Sequence, residues 1–225
     1  ATMLANTLAE YFTKGGPIMY PIALVAIILF AVVAERGVFW FLLGRRRNMT
    51  QLENTLGAME NSDFKAAVVQ TQGSNDPVVR MIYHGLTHMH GSLQGALQVA
   101  AGMEIKRAGR FMVLIDTCIT LAPLLGLLGT VTGIMGSFQK MGESSIAGAM
   151  TEIQGGIGEA LIATAAGLGL AIIGVFFLNI YNEMMEKLKF DLETAATNVE
   201  VMVTQAKQDG FDTVAFRREI AAKNP

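Results

Sequence analysis

Residues 153–182 read IQGGIGEALIATAAGLGLAIIGVFFLNIYN, and this stretch decides the class of fold. It holds 30 residues with one charged side chain among them, that of Glu159. A run of about 20 predominantly apolar residues is long enough to cross the hydrocarbon core of a bilayer as a helix. At about 1.5 Å per residue, a helix of this length extends about 45 Å and overshoots that core. The stretch therefore predicts a membrane-spanning helix.

Two further uncharged runs and the composition point to the same class of protein. Residues 15–34 and 117–139 carry no charged side chain over 20 and 23 positions. The 225-residue chain is 52% hydrophobic and 16% charged, with a mean hydropathy of +0.41, whereas soluble domains are about 25% charged. This deficit of charge argues against a disordered chain, a nucleic-acid binder and an ordinary soluble enzyme. We predict an all-α polytopic membrane protein with three transmembrane helices.

Lysine and arginine are distributed unevenly around the predicted spans, and this sets their orientation. Of the 17 basic residues, nine lie in segment 36–110 and six follow residue 183, which leaves Lys14 and Lys140 for the other side. Because basic residues concentrate in cytoplasmic loops, the N-terminus is expected outside and the C-terminus in the cytoplasm. The predicted segments are an outer N-terminal segment (1–17), helix 1 (18–43), a cytoplasmic helical segment (44–110), helix 2 (111–139), an outer loop (140–152), helix 3 (153–180) and a cytoplasmic helical tail (181–225).

The cytoplasmic segments show helical periodicity of apolar residues. Residues 48–72 carry such a pattern with a capping signal at Asn61-Ser62-Asp63, and residues 78–108 carry another after a turn at 73–77. The tail from residue 183 to 209 alternates charged and apolar faces. Because no helix breaker separates these patterns from the spans, we expect the second and third transmembrane helices to continue into the cytoplasm.

Polar side chains inside the spans are candidates for a functional role, because each carries a desolvation cost there. Thr130 lies ten residues before Lys140, and Thr164 lies about ten residues into the third span. Both are therefore expected about 15 Å below the outer face. Glu159 lies near the outer edge of the core, either as an interfacial carboxylate or as one inside a protein-lined cavity. Since Glu159 and Thr164 are five residues apart, they point about 140° apart on an ideal helix.

Each of these residues also has a purely structural interpretation. A threonine in a span often only donates to a carbonyl of its own helix, and Glu159 could be a solvated residue at a helix start. Asp116 lies 24 residues from Lys140, which is about 36 Å and therefore outside a 30 Å core. We place Asp116 at the cytoplasmic boundary, either as a solvated carboxylate or at the exit of a pore.

Glycine and alanine recur at three- and four-residue steps in the second and third spans. Such faces let helix backbones approach closely in lipid, where the hydrophobic driving force between helices is missing. One glutamate and two threonines from a single chain cannot enclose a pore, so we expect this packing to occur between subunits. The residues are Gly126, Gly129, Gly133 and Gly136 in the second span, and Gly155, Gly156, Gly158, Ala160, Ala163, Ala166, Gly167, Gly169 and Gly174 in the third.

The sequence carries no pattern typical of an enzyme, a cofactor site or a metal site. There is no nucleophile elbow, no phosphate-binding glycine loop and no Cys-His arrangement. Cys118 is the one cysteine, so a disulfide framework within the chain and a multi-cysteine metal site are excluded. His84 and His88 have the spacing of two metal ligands on a helix, with His90 nearby, but no carboxylate follows at a matching position. We therefore predict neither a cofactor nor a bound metal.

Three stretches resemble the ExbB/TolQ/MotA proton-channel family, and ExbB most of all. They are GGPIMYPIALVAIILFAVVAER (15–36), LAPLLGLLGTVTGIMGSF (121–138) and GGIGEALIATAAGLGLAIIGVFFLNIYN (155–182). The resemblance implies a bacterial inner-membrane motor in which several copies, typically a pentamer, surround a pair of single-span subunits of the ExbD/TolR type. An aspartate in the span of that partner carries the proton, and a TonB-like transducer passes the work to outer-membrane transport.

The resemblance also assigns roles to the polar residues of the spans. By motif position, Glu159 is the pore glutamate of the Gly-x-x-Glu-Ala-Leu run, and Thr130 and Thr164 are pore-lining hydroxyls. The outer segments are then periplasmic. Several relatives have a hydroxyl residue where Leu121 stands, so the choice of protons over sodium does not follow from the resemblance at this position.

Two alternative functions remain open from the sequence. A TolQ-like unit would serve envelope constriction through the same kind of motor. A non-conducting membrane scaffold would hold other proteins through its cytoplasmic helices, but it has no need of a lone carboxylate with two threonines at matched depth.

Overall fold

The computed structural model describes residues 12–88, 92–141, 146–212 and 215–216, and every regular element within them is an α-helix. Three of these helices are long and apolar enough to cross a membrane, which confirms the predicted all-α class with three spans. The helices of the described residues are α1 (Met19–Arg46), α2 (Met49–Glu60), α3 (Phe64–Thr71), α4 (Pro77–Thr87), α5 (Leu93–Ala108), α6 (Met112–Met141) and α7 (Ile146–Gln208).

The third span continues far beyond its apolar stretch, as predicted, but the second does not. Helix α7 runs for 63 residues to Gln208 without a break. Helix α6 begins only at Met112, because α5 is capped at Gly109 and Phe111 adopts a left-handed φ of 66°. A side chain is strained at such a φ. Neither a proline nor an obvious turn sequence at this point of the chain predicts the break between α5 and α6. The expectation of one continuous helix through residue 110 is therefore wrong.

The chain divides into two compact units. The membrane unit comprises Ala1–Gly37 and Phe111–Tyr181, and the second unit comprises Val38–Arg110 and Asn182–Pro225. In the membrane unit, α1 buries one stripe of side chains at three- and four-residue steps, the spacing of a single helix face. That stripe consists of Met19, Ile22, Val25, Leu29, Val33 and Arg36.

Helices α6 and α7 pack against each other through glycine. A Cβ built on Gly126 would lie 2.9 Å from the Thr164 Cα, and one on Gly129 would lie 2.9 Å from the Ala163 Cβ. A Cβ on Gly167 would overlap the carbonyl oxygen of Ala122. These contacts occur within one chain, so the expectation that the glycines pack between subunits is wrong for them. For Gly136, Gly155, Gly158 and Gly169, no described atom lies within 4 Å of a built Cβ.

Tyr181 links α7 to α1 where the membrane unit ends. Its hydroxyl donates to the Val33 carbonyl at 2.6 Å, and its side chain is buried. A Cβ on Gly37 would lie 3.4 Å from that hydroxyl oxygen, so the small residue leaves room for the tyrosine. Arg36 is buried nearby, pairs with Glu35 at 2.5 Å and lies over the Phe111 ring at 5.7 Å.

The second unit is built from α2 to α5 and the C-terminal part of α7. The predicted cap at Asp63 is confirmed, since its side chain accepts from the Ala66 N–H at 3.0 Å and starts α3. Asp76 caps α4 by accepting from Val78, with Pro77 at the first helical position, where its missing N–H costs nothing. The two predicted cytoplasmic helical patterns are thus each divided into two shorter helices.

A buried ion pair joins α4 to α5 in the second unit. Arg80 donates two hydrogen bonds to the Glu104 carboxylate, whose side chain is 7% exposed. Arg107 lies 3.8 Å from the same carboxylate, but its own side chain is 59% exposed. Arg80 therefore provides most of the opposite charge and hydrogen bonding that offset the cost of burying the Glu104 carboxylate.

Arg80→Ala is expected to destabilise the second unit by about 3 kcal/mol, because it leaves the Glu104 charge buried with only the exposed Arg107 beside it. Arg107→Ala is the matched control and is expected to cost less than about 1 kcal/mol, since exposed pairs contribute little. Chemical unfolding of the detergent-solubilised chain measures both. Equal losses in the two variants would show that the buried pair is not the stabilising one.

Candidate functional site

A cleft of about 800 Å³ opens in the membrane unit between α6, α7 and the residues that precede α1. Polar groups and glycines make up most of its wall, and Lys14 and Glu159 are the charged side chains among the described lining residues. The lining residues are Thr13, Lys14, Gly15, Pro17, Ile18, Gly129, Thr132, Gly133, Gly136, Ser137, Gly155, Gly156 and Glu159.

Glu159 lies in this cleft and is partly buried. Its carboxylate packs against the backbone of Gly16, because a Cβ at that position would overlap it. Gly16 also has a φ of +70°, which L side chains rarely adopt. Two independent constraints thus require glycine beside the carboxylate. The Gly-Gly-Pro sequence before the first span is the signal for this contact.

Hydroxyl groups from α6 share the cleft with Glu159. Ser137 is buried and donates to the Gly133 carbonyl at 2.8 Å. Thr132 donates to the Leu128 carbonyl at 3.0 Å and is exposed on the cleft wall. Both hydroxyls keep lone pairs that can accept a hydrogen bond from water. The sequence analysis did not single out these two residues, because the side of α6 that faces the cleft depends on how α7 packs beside it.

Thr164 lies on the other flank of α7, at the contact with α6. Its hydroxyl donates to the Gly126 carbonyl at 2.8 Å, which is a bond between helices and not a bond within one helix. Thr164 does not line the cleft, in keeping with the 140° that separates it from Glu159 on the helix. Gly126 lies one turn from Thr130, so the two threonines stand within about one turn of each other in depth.

Thr130 and Asp116 lie on one side of α6, where Thr130 is half-buried. The Thr130 hydroxyl donates to the Leu127 carbonyl of its own helix at 2.7 Å. Asp116 is exposed, and its backbone carbonyl accepts from the Thr120 hydroxyl at 3.0 Å. These three residues lie within about 80° of one another around the helix. We call these three side chains the polar face of α6 (Asp116, Thr120 and Thr130).

The structure therefore does not gather the four predicted site residues into one place within a chain. Glu159 lines the cleft, Thr164 bridges α7 to α6, and Thr130 and Asp116 share the polar face of α6. If Glu159, Thr130 and Thr164 act on one path, that path involves more than one copy of the chain.

His84 and His88 lie in the second unit beside an apolar cleft lined by α4 and α5. Their rings stand 5.6 Å apart, and the Thr87 hydroxyl contacts the His88 Nδ1 at 2.9 Å. His90 lies outside the described residues. Within the described ranges, no group of three or more His, Cys, Asp or Glu side chains is arranged to hold a metal ion.

Acidification is expected to destabilise the second unit through His84. Burial lowers the pKa of its imidazole, and the neighbouring His88 lowers that pKa further, while Glu104 opposes the change. A lowered folded-state pKa means that stability is full above about pH 6.5 and is lost as the pH falls towards the folded value. Thermal melting of the whole chain between pH 7.5 and 5 should show this loss, and His84→Gln should reduce it. His88→Gln should retain most of it, so an equal reduction in both variants would contradict this assignment.

The sequence matches a known family and several named proteins. Residues 73–194, which include all four predicted site residues, match the MotA/TolQ/ExbB proton channel family. Two biopolymer transport proteins of Synechocystis sp., named ExbB-like 1 and ExbB-like 3, are 34% and 32% identical. These alignments cover 77% and 76% of this chain and 70% and 82% of the relatives. Biopolymer transport protein ExbB of Salmonella typhimurium is 28% identical over 91% of this chain and 87% of its own length.

Proposed function

Because the chain belongs to the MotA/TolQ/ExbB proton channel family, we propose that it is the channel-forming subunit of an inner-membrane motor driven by protons. The observation that carries this proposal is the position of Glu159. It is the one charged side chain of a 30-residue apolar segment, and it lies in a cleft of the membrane unit and not on a solvated helix start. A charged residue within an otherwise apolar span is expected to serve an ion path.

The polar face of α6 supports an assembly of several copies. Asp116 and Thr120 are exposed in the single chain, and Thr130 lies between them and the cleft end of the helix. Polar groups in a span face protein or water, because contact with lipid tails is costly. Five copies with this face turned inward would surround a pair of single-span ExbD/TolR-like subunits. Thr130 and, at the helix contact, Thr164 would then lie along the path, with Asp116 at its cytoplasmic exit.

Membrane electrostatics gives this arrangement a mechanism. A proton that moves down a 100 mV potential releases about 2.3 kcal/mol. The aspartate in the partner's span can move past the apolar inner wall when a proton neutralises it, whereas the charged form would meet a high desolvation cost. Glu159 and the hydroxyls would set where this proton is loaded and released. The protein acts as a channel subunit in this scheme and performs no catalysis.

The relatives suggest what the motor serves. Those named biopolymer transport proteins favour an ExbB-like role, in which a TonB-like transducer carries the work to outer-membrane transport. A TolQ-like role in envelope maintenance would use the same subunit architecture. In either case the distribution of basic residues favours a periplasmic N-terminus and a cytoplasmic C-terminus.

Native mass spectrometry of the complex, extracted from its own membrane, tests this proposal. We expect five copies of the chain with one or two small single-span chains, and peptide sequencing of the small chain should find an aspartate in its span. Sequencing of co-purified proteins would also separate a TonB-like from a Tol-type client. A stable complex without any single-span chain would favour the membrane scaffold.

A further inference from the structure

We propose that the cleft beside Glu159 is a water-filled inlet within each chain, through which a proton or a hydrated monovalent cation reaches the Glu159 carboxylate without passing between subunits. This inference rests on the proposed function and adds a route to it. The route begins at residues 13–18, runs along the cleft between these residues, α6 and α7, and ends at the Glu159 carboxylate.

The size and lining of the cleft suit water. At about 30 Å³ for each molecule, a volume of about 800 Å³ holds on the order of 20 waters. Water occupies a cavity when it finds two to four polar partners there. The Thr13, Thr132 and Ser137 hydroxyls supply such partners, as do the charged groups of Lys14 and Glu159. An acyl chain would leave these polar groups without hydrogen bonds to solvent, which is costly.

The glycines of the cleft fall into two groups, and one group has no packing partner among the described residues of the chain. Gly129 and Gly133 line the cleft but also allow α7 to approach α6, since a Cβ on either would lie within 3.1 Å of an alanine Cβ. No described atom lies within 4 Å of a Cβ built on Gly136 or Gly155. A side chain at these positions would project into open space and narrow the cleft. Their effect in this structure is to keep the cleft wide and its peptide groups accessible.

The contact between Glu159 and Gly16 gives the inlet a defined end. Because the carboxylate lies directly on the Gly16 backbone, residues 15–17 form a wall on one side of it. Lys14 lines the same space and carries the opposite charge. The Glu159 carboxylate is partly buried and needs a solvent or protein partner, and water in the cleft can provide one.

A single-cysteine variant at Gly136 tests the inlet. Gly136→Cys is made in a Cys118→Ala background, and the complex is reconstituted with its partner subunits in vesicles that carry a proton flux. A membrane-impermeant, positively charged methanethiosulfonate reagent is added from one side at a time, and both labelling and flux are measured. Met150→Cys, exposed near the start of α7, identifies the side from which the inlet opens. Gly169→Cys, open but outside the cleft, is the matched control.

We expect Gly136→Cys to be labelled from the same side as Met150→Cys. The modification should remove most of the proton flux, and reduction of the mixed disulfide should restore it. Modification of Gly169→Cys should leave the flux unchanged. An unlabelled Gly136→Cys, or a labelled one whose flux persists, would overturn the inlet. The proposed function fails separately, if the unmodified complex carries no proton flux or if Glu159→Gln carries as much flux as the parent. The labelling pattern is informative in either case.

Discussion

Replacing Glu159 with glutamine is expected to abolish the energised work of the complex while its assembly and thermal stability stay intact. Glutamine has nearly the same shape and still fills the space beside Gly16, but it cannot take up or release a proton. The neutral side chain also removes a desolvation cost, so the folded chain should not be weakened. Growth or uptake that depends on the motor measures the loss, and recovery of the complex with its partner measures assembly.

Glu193→Gln is the control for this variant, because it makes the same chemical change at an exposed position of the same helix, in the second unit. It should retain full activity. Normal energised work in Glu159→Gln would remove Glu159 from the mechanism. Failure of both variants would mean that the loss does not report on the membrane carboxylate.

Gly167→Leu is expected to prevent α6 and α7 from packing, with a loss of more than about 4 kcal/mol in stability. A Cβ at Gly167 would overlap the Ala122 carbonyl oxygen. That oxygen belongs to the backbone and cannot move aside as a flexible side chain would, so the helices must separate. Separation would also break the bond from Thr164 to the Gly126 carbonyl. Thermal unfolding of the purified complex in detergent, together with its yield, measures this effect.

Gly169→Leu is the matched control, two residues further along the same helix, where no described atom lies within 4 Å of a built Cβ. It adds the same side chain to the same span and should assemble with near-normal stability. Similar losses in the two variants would show that leucine in this span is harmful in itself and that the Gly167 contact is not the cause.

The broad architecture could be predicted from sequence because it depends on properties of short stretches of chain, such as the length of an uncharged run or the residue type at a helix start. Uncharged run lengths identified the three spans, and capping chemistry identified the start of α3 at Asp63. The turn predicted at residues 73–77 precedes α4, whose cap at Asp76 was not predicted. The break before α6 escaped prediction, since the left-handed φ of Phe111 comes from its surroundings and not from a residue type that favours it. In the second unit, the periodicity of apolar residues predicted helices correctly, but it did not show that each predicted pattern is divided into two shorter helices.

The candidate site was only partly predictable for a related reason. The sequence correctly separates Glu159 from Thr164 around one helix, because that angle depends on helix geometry alone. Which face of α7 meets α6 depends on packing, so the bond from Thr164 to Gly126 and the cleft residues Thr132 and Ser137 appear only in three dimensions. The same limit explains why glycines expected between subunits, such as Gly126 and Gly167, pack within the chain.

Proton flux across vesicles tests the role of Glu159 most directly. The complex is reconstituted with its single-span partner, a membrane potential is imposed, and a trapped pH-sensitive dye reports proton entry for the parent and for Glu159→Gln. We predict flux above that of empty vesicles for the parent and none above it for the variant. Equal flux through both complexes, or no flux through the parent, would contradict a proton path that includes Glu159.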